Sequence, residues 1–124
     1  MDASALVEVL LDSNRGHAVA EVLRRFETLH APAHIDAEVL SAFGRLHRAD
    51  QLGADDVRGR LFQLQRATIT RHPLAELLMG AWARRDRFRL VDGLYVELAH
   101  VLGAQLLTTD TRLAAAAGVP CVAS

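Results

Sequence analysis

The sequence predicts an α/β fold in which helices flank a mostly parallel central sheet. Stretches with a helical apolar stripe alternate with short β-branched or apolar segments along the chain, which is the order typical of parallel strands joined by helices. Hydrophobic residues make up 51% of the sequence, enough to build a core and too many for a disordered chain. The 124 residues fit one compact unit, so we expect a single domain over residues 1–124.

The first half of the chain is expected to hold four helices and one strand. Helices are predicted over residues 3–11 and about 16–26, followed by a short strand, TLHAP, at residues 28–32. A third helix carries an apolar stripe formed by Ile35, Val39, Ala42, Phe43 and Leu46. The acids of ADD suit the N-terminus of a fourth helix, over about 54–66.

The second half is expected to alternate strands and helices. ATIT, residues 67–70, is β-branched and predicts a strand, and Pro73 then begins a helix to about Arg85. Its inward side is expected to hold Leu74, Leu77, Leu78 and Ala81. A helix at 92–102, a strand at 104–108, a short helix at 111–117 and a last strand at 119–123 complete the prediction.

Two aspartates flank an apolar stretch, VDGLYVELAHVLGAQLLTTD. A helix from Asp92 to Leu102 would be about 16 Å long, Gly103 is suited to end it, and the following strand would return about 16 Å. Asp110 is therefore expected at the level of Asp92, at the sheet edge where open α/β folds place their sites. Either aspartate could instead only cap a helix or a turn.

Other acids near apolar faces point to a cation. Asp92 shares a helix face with Tyr95, whereas Glu97 lies on a different face and is expected to be solvated. Glu38 borders the apolar stripe of the third helix, and glutamate is rarely buried unless it is paired or bound to metal. Asp2 precedes an apolar helix, where capping is the alternative. Because no neighbouring cation is an evident partner for Glu38 or Asp2, we expect a hard divalent ion, Mg²⁺ or Mn²⁺.

Four segments resemble the PIN-domain ribonucleases, and most of all the toxins of VapBC-type (type II) toxin–antitoxin pairs. They are DASALV at residues 2–7, APAHIDAEVLSAF around Glu38, VDGLYVELA around Asp92, and LLTTD ending at Asp110. They occur in the family's order and spacing over nearly the whole chain. The resemblance implies a PIN-like fold and a metal-dependent endoribonuclease that cleaves tRNA, rRNA or mRNA.

The resemblance also assigns residues and partners. It implies that four acids hold Mg²⁺ or Mn²⁺, that Thr108 assists catalysis and that Ser4 lies near the site; the acids are Asp2, Glu38, Asp92 and Asp110. It further implies a homodimer and a cognate antitoxin that inhibits the enzyme. The family pattern has a short apolar strand before the first aspartate, whereas only Met1 precedes Asp2 here. We therefore expect either a start further upstream or a form without most of that strand.

A run of arginines precedes Asp92. All 14 basic residues are arginine, the side chain best suited to bidentate phosphate contacts. Arg84, Arg85 and Arg87 could hold RNA phosphates near the acids, or they could form a solvated loop. Trp82 and Phe88 could stack on bases, although we expect Trp82 to pack in the core.

Several other classes of protein are disfavoured. No apolar run is long enough for a membrane helix, and the lone Cys121 forms no intrachain disulfide, so we expect a cytoplasmic protein. His30 and His34 are separated by Pro32, which breaks the helical spacing of a zinc site. A receiver domain would need a lysine, and a dehalogenase-type phosphatase would need a second acid after DAS. Two alternatives stay open: a PIN-fold binding module without activity, and a PIN nuclease of RNA processing.

Overall fold

The computed structural model describes residues 2–23, 29–104 and 106. Its elements are, in chain order, α1 (Ala3–Leu10), α2 (Asn14–Leu23), β1 (His30–Pro32), α3 (Ile35–Arg48), α4 (Ala54–Arg66), β2 (Thr70–His72), a 3₁₀ helix (Leu74–Leu77), α5 (Leu78–Ala83) and α6 (Leu90–Leu102). Within these ranges, no helix combines the length and the apolar character that crossing a bilayer requires.

The two strands β1 and β2 lie side by side and run parallel, with His30 opposite Thr70 and Pro32 opposite His72. Since both strands point the same way, the chain must cross over between them, and α3 and α4 provide this crossover. The peptide nitrogen of Ala33 extends the pairing by donating to His72 O at 2.8 Å. A parallel sheet with flanking helices, as the sequence predicts, is confirmed.

Side-chain caps set the start of the first two helices. Asp2 is the N-cap of α1, and its carboxylate accepts a hydrogen bond from Ala5 N at 3.1 Å. The Ser13 hydroxyl accepts from Gly16 N at 2.9 Å, so α2 begins at Asn14, two residues earlier than expected. A Cβ on Gly16 would overlap the backbone carbonyl of Glu8. This glycine therefore allows α2 to pack closely on α1.

The buried core lies mainly between α1, α3, β1 and α6. Ile35, Val39 and Phe43 are fully buried, so the predicted apolar stripe of α3 faces the core as periodicity requires. Tyr95 of α6 belongs to the same buried cluster. A smaller cluster joins α5 to α6 and consists of Leu77, Ala81, Leu94 and Leu98.

The segment between residues 67 and 85 differs from its prediction. The strand comprises Thr70–His72 instead of residues 67–70, and a 3₁₀ helix and a short α-helix replace the single helix from Pro73 to Arg85. Because a 3₁₀ helix has three residues per turn, it stacks Leu74 on Leu77 and turns the next residue away. Leu78 is accordingly 55% exposed, and its predicted inward position is wrong.

Arg71 connects β2 to both crossover helices. Its guanidinium binds Asp36 of α3 through two nitrogens, Nε to Oδ2 at 2.9 Å and Nη2 to Oδ1 at 3.1 Å. It also donates to the carbonyl of Leu64, in the last turn of α4, at 2.9 Å. These contacts anchor the strand at residues 70–72. The β-branched residues of ATIT predict it at residues 67–70 instead.

The end of the chain is only partly described. Gly103 ends α6 in the left-handed conformation, with φ 61°, as predicted for this position. Ala104 and Leu106 are not in a strand. The remaining residues of the strand predicted at 104–108, and the elements predicted at 111–117 and 119–123, lie outside the described residues.

Candidate active site

Asp2 is an acid buried at the start of α1. Only 4% of the surface of Asp2 is exposed to solvent. The Ser4 hydroxyl donates to Asp2 Oδ1 at 2.8 Å. The same oxygen accepts from Ala5 N. Asp2 is therefore both a helix cap and a buried carboxylate, and its predicted neighbour Ser4 is in direct contact with it.

Glu38 lies in the first turn of α3 and is bound by two side chains. The Tyr95 hydroxyl donates to Glu38 Oε1 at 2.7 Å, and His34 Nε2 lies 2.9 Å from the same oxygen. Burial raises the pKa of this carboxyl, but the close contact with His34, the hydrogen bond from Tyr95 and the charges of His34 and Arg45 lower it. The net result is a Glu38 pKa below its ordinary value, so this residue is a carboxylate at neutral pH.

Tyr95 joins the elements that carry the acids. It is 3% exposed on α6, and its ring lies 4.7 Å from the His34 ring. The pKa of its hydroxyl is raised, first by burial, then by the hydrogen bond to Glu38 and by the negative charges of Glu38 and Asp2, while a backbone hydrogen bond with Ala3 acts in the opposite direction. The neutral Tyr95 hydroxyl therefore interacts with the charges of both Asp2 and Glu38.

Asp92 is the third residue of α6, one turn before Tyr95. The N-cap position belongs to Arg89, so the alternative that Asp92 merely caps this helix is wrong. The Asp92 side chain is 22% exposed, and Arg89 Nε lies 3.8 Å from its Oδ2. A carboxylate in the first turn is stabilised by the positive end of the helix dipole.

Arg84 is paired with an acid of α6. Its guanidinium forms an ion pair with Glu97, with side-chain exposures of 24% and 13%. It also donates to the carbonyl of Gly80 at 3.1 Å. The expectation that Glu97 is solvated is wrong, because α5 packs on α6 and brings Arg84 to the face of α6 that carries Glu97.

Arg85 and Arg87 are exposed, and each lies against an aromatic ring. The Arg85 guanidinium carbon is 4.7 Å from the centre of the Trp82 ring, and that of Arg87 is 5.6 Å from the Phe88 ring. Trp82 is 54% exposed, whereas Phe88 is 9% exposed. The expectation of core packing for Trp82 is therefore wrong, and Phe88 occupies the core instead.

Thr108 and Asp110, the two remaining predicted site residues, lie outside the described residues. Within the part of the chain that is described, no group of three or more His, Cys, Asp or Glu residues is arranged to hold a metal ion. Asp2, Glu38 and Asp92 are nevertheless hard oxygen donors on three elements that contact one another through Tyr95. The chemistry of this set fits Mg²⁺ or Mn²⁺.

Sequence reasoning missed the roles of His34 and Tyr95. His34 was considered only as a zinc ligand with His30, which instead lies on β1 and contacts His72, with 2.8 Å between His30 Nδ1 and His72 Nε2. The available signals were the spacing of four residues from His34 to Glu38, across the first turn of α3, and the inward face that Tyr95 shares with Asp92. The partner of Tyr95, 57 residues away, has no local signature.

The family model of the PIN domain matches residues 1–119. The chain therefore belongs to the PIN-domain family, in agreement with the resemblance found in its four acidic segments.

Curated relatives within this family are named as ribonucleases. Ribonuclease VapC3 of Mycobacterium tuberculosis (strain ATCC 25618 / H37Rv) is 54% identical over 117 residues, which cover 94% of this chain and 85% of the relative. VapC ribonuclease Mb0985 of Mycobacterium bovis (strain ATCC BAA-935 / AF2122/97) is 36% identical, covering 98% and 92%. Ribonuclease VapC12 of Mycobacterium tuberculosis (strain ATCC 25618 / H37Rv) is 37% identical, covering 95% and 91%.

Proposed function

We propose that the protein is a metal-dependent endoribonuclease, the toxin of a VapBC-type pair, and that residues 1–124 form a single PIN domain. The observation that supports it most is that two buried or partly buried acids act on the Tyr95 hydroxyl: Glu38 accepts its hydrogen bond, and the charge of Asp2 raises its pKa. The kinship with proteins named VapC ribonucleases supports RNA as the substrate. We also propose that the protein is cytoplasmic, because its proposed RNA substrate and antitoxin would be found there.

The cation is proposed to be Mg²⁺ or Mn²⁺, held by Asp2, Glu38, Asp92 and Asp110. When bound, such an ion would supply Lewis acidity toward the scissile phosphodiester. The protein residues provide the negative charge that attracts the ion: the Asp2 side chain is oriented by Ser4 Oγ and Ala5 N, and Glu38 is ionised at neutral pH. Thr108 is proposed to assist at the same site.

RNA phosphates are proposed to bind Arg85 and Arg87, which are exposed near the start of α6. The adjacent Trp82 ring, with Arg85 against it, offers a flat surface on which a base can stack. Arg84 contributes less directly: its pairing with Glu97 supports a role in holding α5 on α6 and thereby in placing the other two arginines.

The proposed partners are an antitoxin and a second copy of the chain. Large apolar side chains are exposed on α5 and at the start of α6, namely Leu78, Met79, Leu90 and Val91. We call this the α5 surface. Exposed apolar residues grouped in this way are typical of interaction sites, and we assign this surface to the homodimer.

Cleavage of a fluorescent RNA by purified protein tests the proposed function. We expect Mg²⁺- or Mn²⁺-dependent cleavage that Asp92→Asn abolishes, because asparagine keeps the size of the side chain but not its charge. Asp56→Asn is a matched control: Asp56 is an exposed acid and the third residue of α4, as Asp92 is the third residue of α6. Retained cleavage by Asp92→Asn would contradict the mechanism, and a folded wild type without cleavage would favour the inactive binding module.

A further inference from the structure

Within the described part of the chain, Tyr95 and His34 both contact the Glu38 carboxylate through the same one of its two oxygens. Tyr95 Oη donates to Oε1 at 2.7 Å, and His34 Nε2 lies 2.9 Å from the same atom. Neither contact uses Oε2. The orientation of the carboxylate is thus fixed by contacts on Oε1, and a cation can bind through Oε2 without displacing either partner.

The side chain that makes the shorter contact is immobilised by the core. Tyr95 is 3% exposed and belongs to the main buried cluster, and its ring packs at 4.7 Å, tilted by 49°, against that of His34. A buried aromatic side chain in a close-packed core has little freedom to move. The position of its hydroxyl is therefore set by α6, the helix that also carries Asp92 one turn earlier.

A fixed donor matters here because a glutamate side chain is flexible. Glutamate has several rotatable bonds, and ordering them costs conformational entropy when a ligand binds. A hydroxyl donor on Oε1 offsets that cost before any cation arrives. Residues that hold a metal-binding carboxylate in this way tune metal affinity without touching the ion.

We infer that Tyr95 is a positioning residue for divalent-metal binding, acting by orienting the Glu38 carboxylate, and that His34 supports it by contacting the same oxygen. This inference rests on the proposed function, since it takes Glu38 as a metal-binding residue. It adds two residues, on α6 and at the start of α3, to the set that determines metal affinity.

Mn²⁺ titration followed by electron paramagnetic resonance tests the inference with metal and protein alone. Tyr95→Phe removes the hydroxyl and keeps the ring, and we expect a roughly 10–100-fold weaker Mn²⁺ affinity. Ser13→Ala is the matched control, because it also deletes a hydrogen-bonded hydroxyl but at the other end of α1 from Asp2. Its Mn²⁺ affinity is expected within two-fold of wild type.

A double variant separates positioning from general loosening of the fold. If Tyr95 acts through Glu38, adding Tyr95→Phe to Glu38→Gln changes the already weakened affinity by less than two-fold. A further large loss would overturn the inference. Circular dichroism checks folding; should Tyr95→Phe not fold, His34→Leu is measured in its place and is expected to weaken Mn²⁺ binding more than Ser13→Ala.

The outcomes distinguish the inference from the function on which it rests. The inference is overturned if Tyr95→Phe binds Mn²⁺ as tightly as wild type while Asp92→Asn loses binding. The proposed function would still stand in that case. A wild-type protein that does not bind Mn²⁺ at millimolar concentration overturns both.

Discussion

Glu97 of α6 forms an ion pair with Arg84, the residue that follows α5, and their contact lies over Gly80. A Cβ at position 80 would overlap the Glu97 carboxylate, so the absence of a side chain there makes room for the pair. Arg84 also donates to Gly80 O at 3.1 Å. The cluster fastens α5 to α6 next to the buried side chains of Ala81 and Leu94.

Loss of the Glu97 charge is therefore expected to destabilise the fold. Glu97→Gln leaves the partly buried Arg84 guanidinium without its anion, and we expect a loss of about 1–3 kcal/mol in the free energy of unfolding. Urea denaturation followed by circular dichroism measures it. Glu76→Gln, an exposed acid in the preceding 3₁₀ helix, should change stability by no more than about 0.5 kcal/mol. Equal effects from both variants would mean that the Arg84–Glu97 pair contributes nothing.

The lowered pKa of Glu38 predicts a pH-dependent contribution to stability. Because the folded-state pKa lies below the ordinary glutamate value of 4.5, the folded state favours the ionised form. The stabilisation is then complete above pH 4.5 and is lost as the pH falls through the folded-state pKa. With a metal chelator present, the stability difference between wild type and Glu38→Gln should shrink when urea denaturation is repeated at decreasing pH from 6 to 3.

The opposite trend would contradict this account of Glu38. A stability difference that widens toward acid would mean that the folded state holds the proton on Glu38, as burial alone would cause.

The α5 surface predicts how dimerisation can be disrupted. Met79 is 79% exposed, and a charge placed there would have to be desolvated in an apolar interface. Met79→Glu should convert the proposed homodimer to a monomer at tens of micromolar, as measured by light scattering. Val101→Glu introduces the same charge at an apolar residue that is 62% exposed in the last turn of α6. It should leave the dimer intact, and a dimer that survives Met79→Glu would place the interface elsewhere.

Local sequence was sufficient where a structure depends on neighbouring residues. The stripe of α3 was predictable because residues three and four apart share a helix face, and Ile35, Val39 and Phe43 are all fully buried. The end of α6 was predictable because glycine adopts the left-handed conformation at low cost. The burial of Asp2 and the partial burial of Glu38 and Asp92 could also be expected from their positions beside apolar faces.

The segment from residue 67 to residue 85 was less predictable. Pro73 and the leucines after it suit an α-helix, yet the chain forms a 3₁₀ helix and then α5. The two differ by a small rotation per residue, and burial of Leu77 and Ala81 against α6 decides between them. That rotation also determines that Leu78 and Trp82 are exposed.

The sequence by itself determined the alternation of helices and strands, the apolar face of α3 and the glycine end of α6. Only the tertiary structure decided the partners: Tyr95 with Glu38, Arg84 with Glu97, and Arg71 with Asp36. Such pairs form between segments separated in the chain. A hydrogen bond forms only when the donor–acceptor distance lies within a few tenths of an ångström of its preferred value, about 2.9 Å. Whether they meet depends on how each helix is rotated and shifted by the packing of the whole core, which no local pattern records.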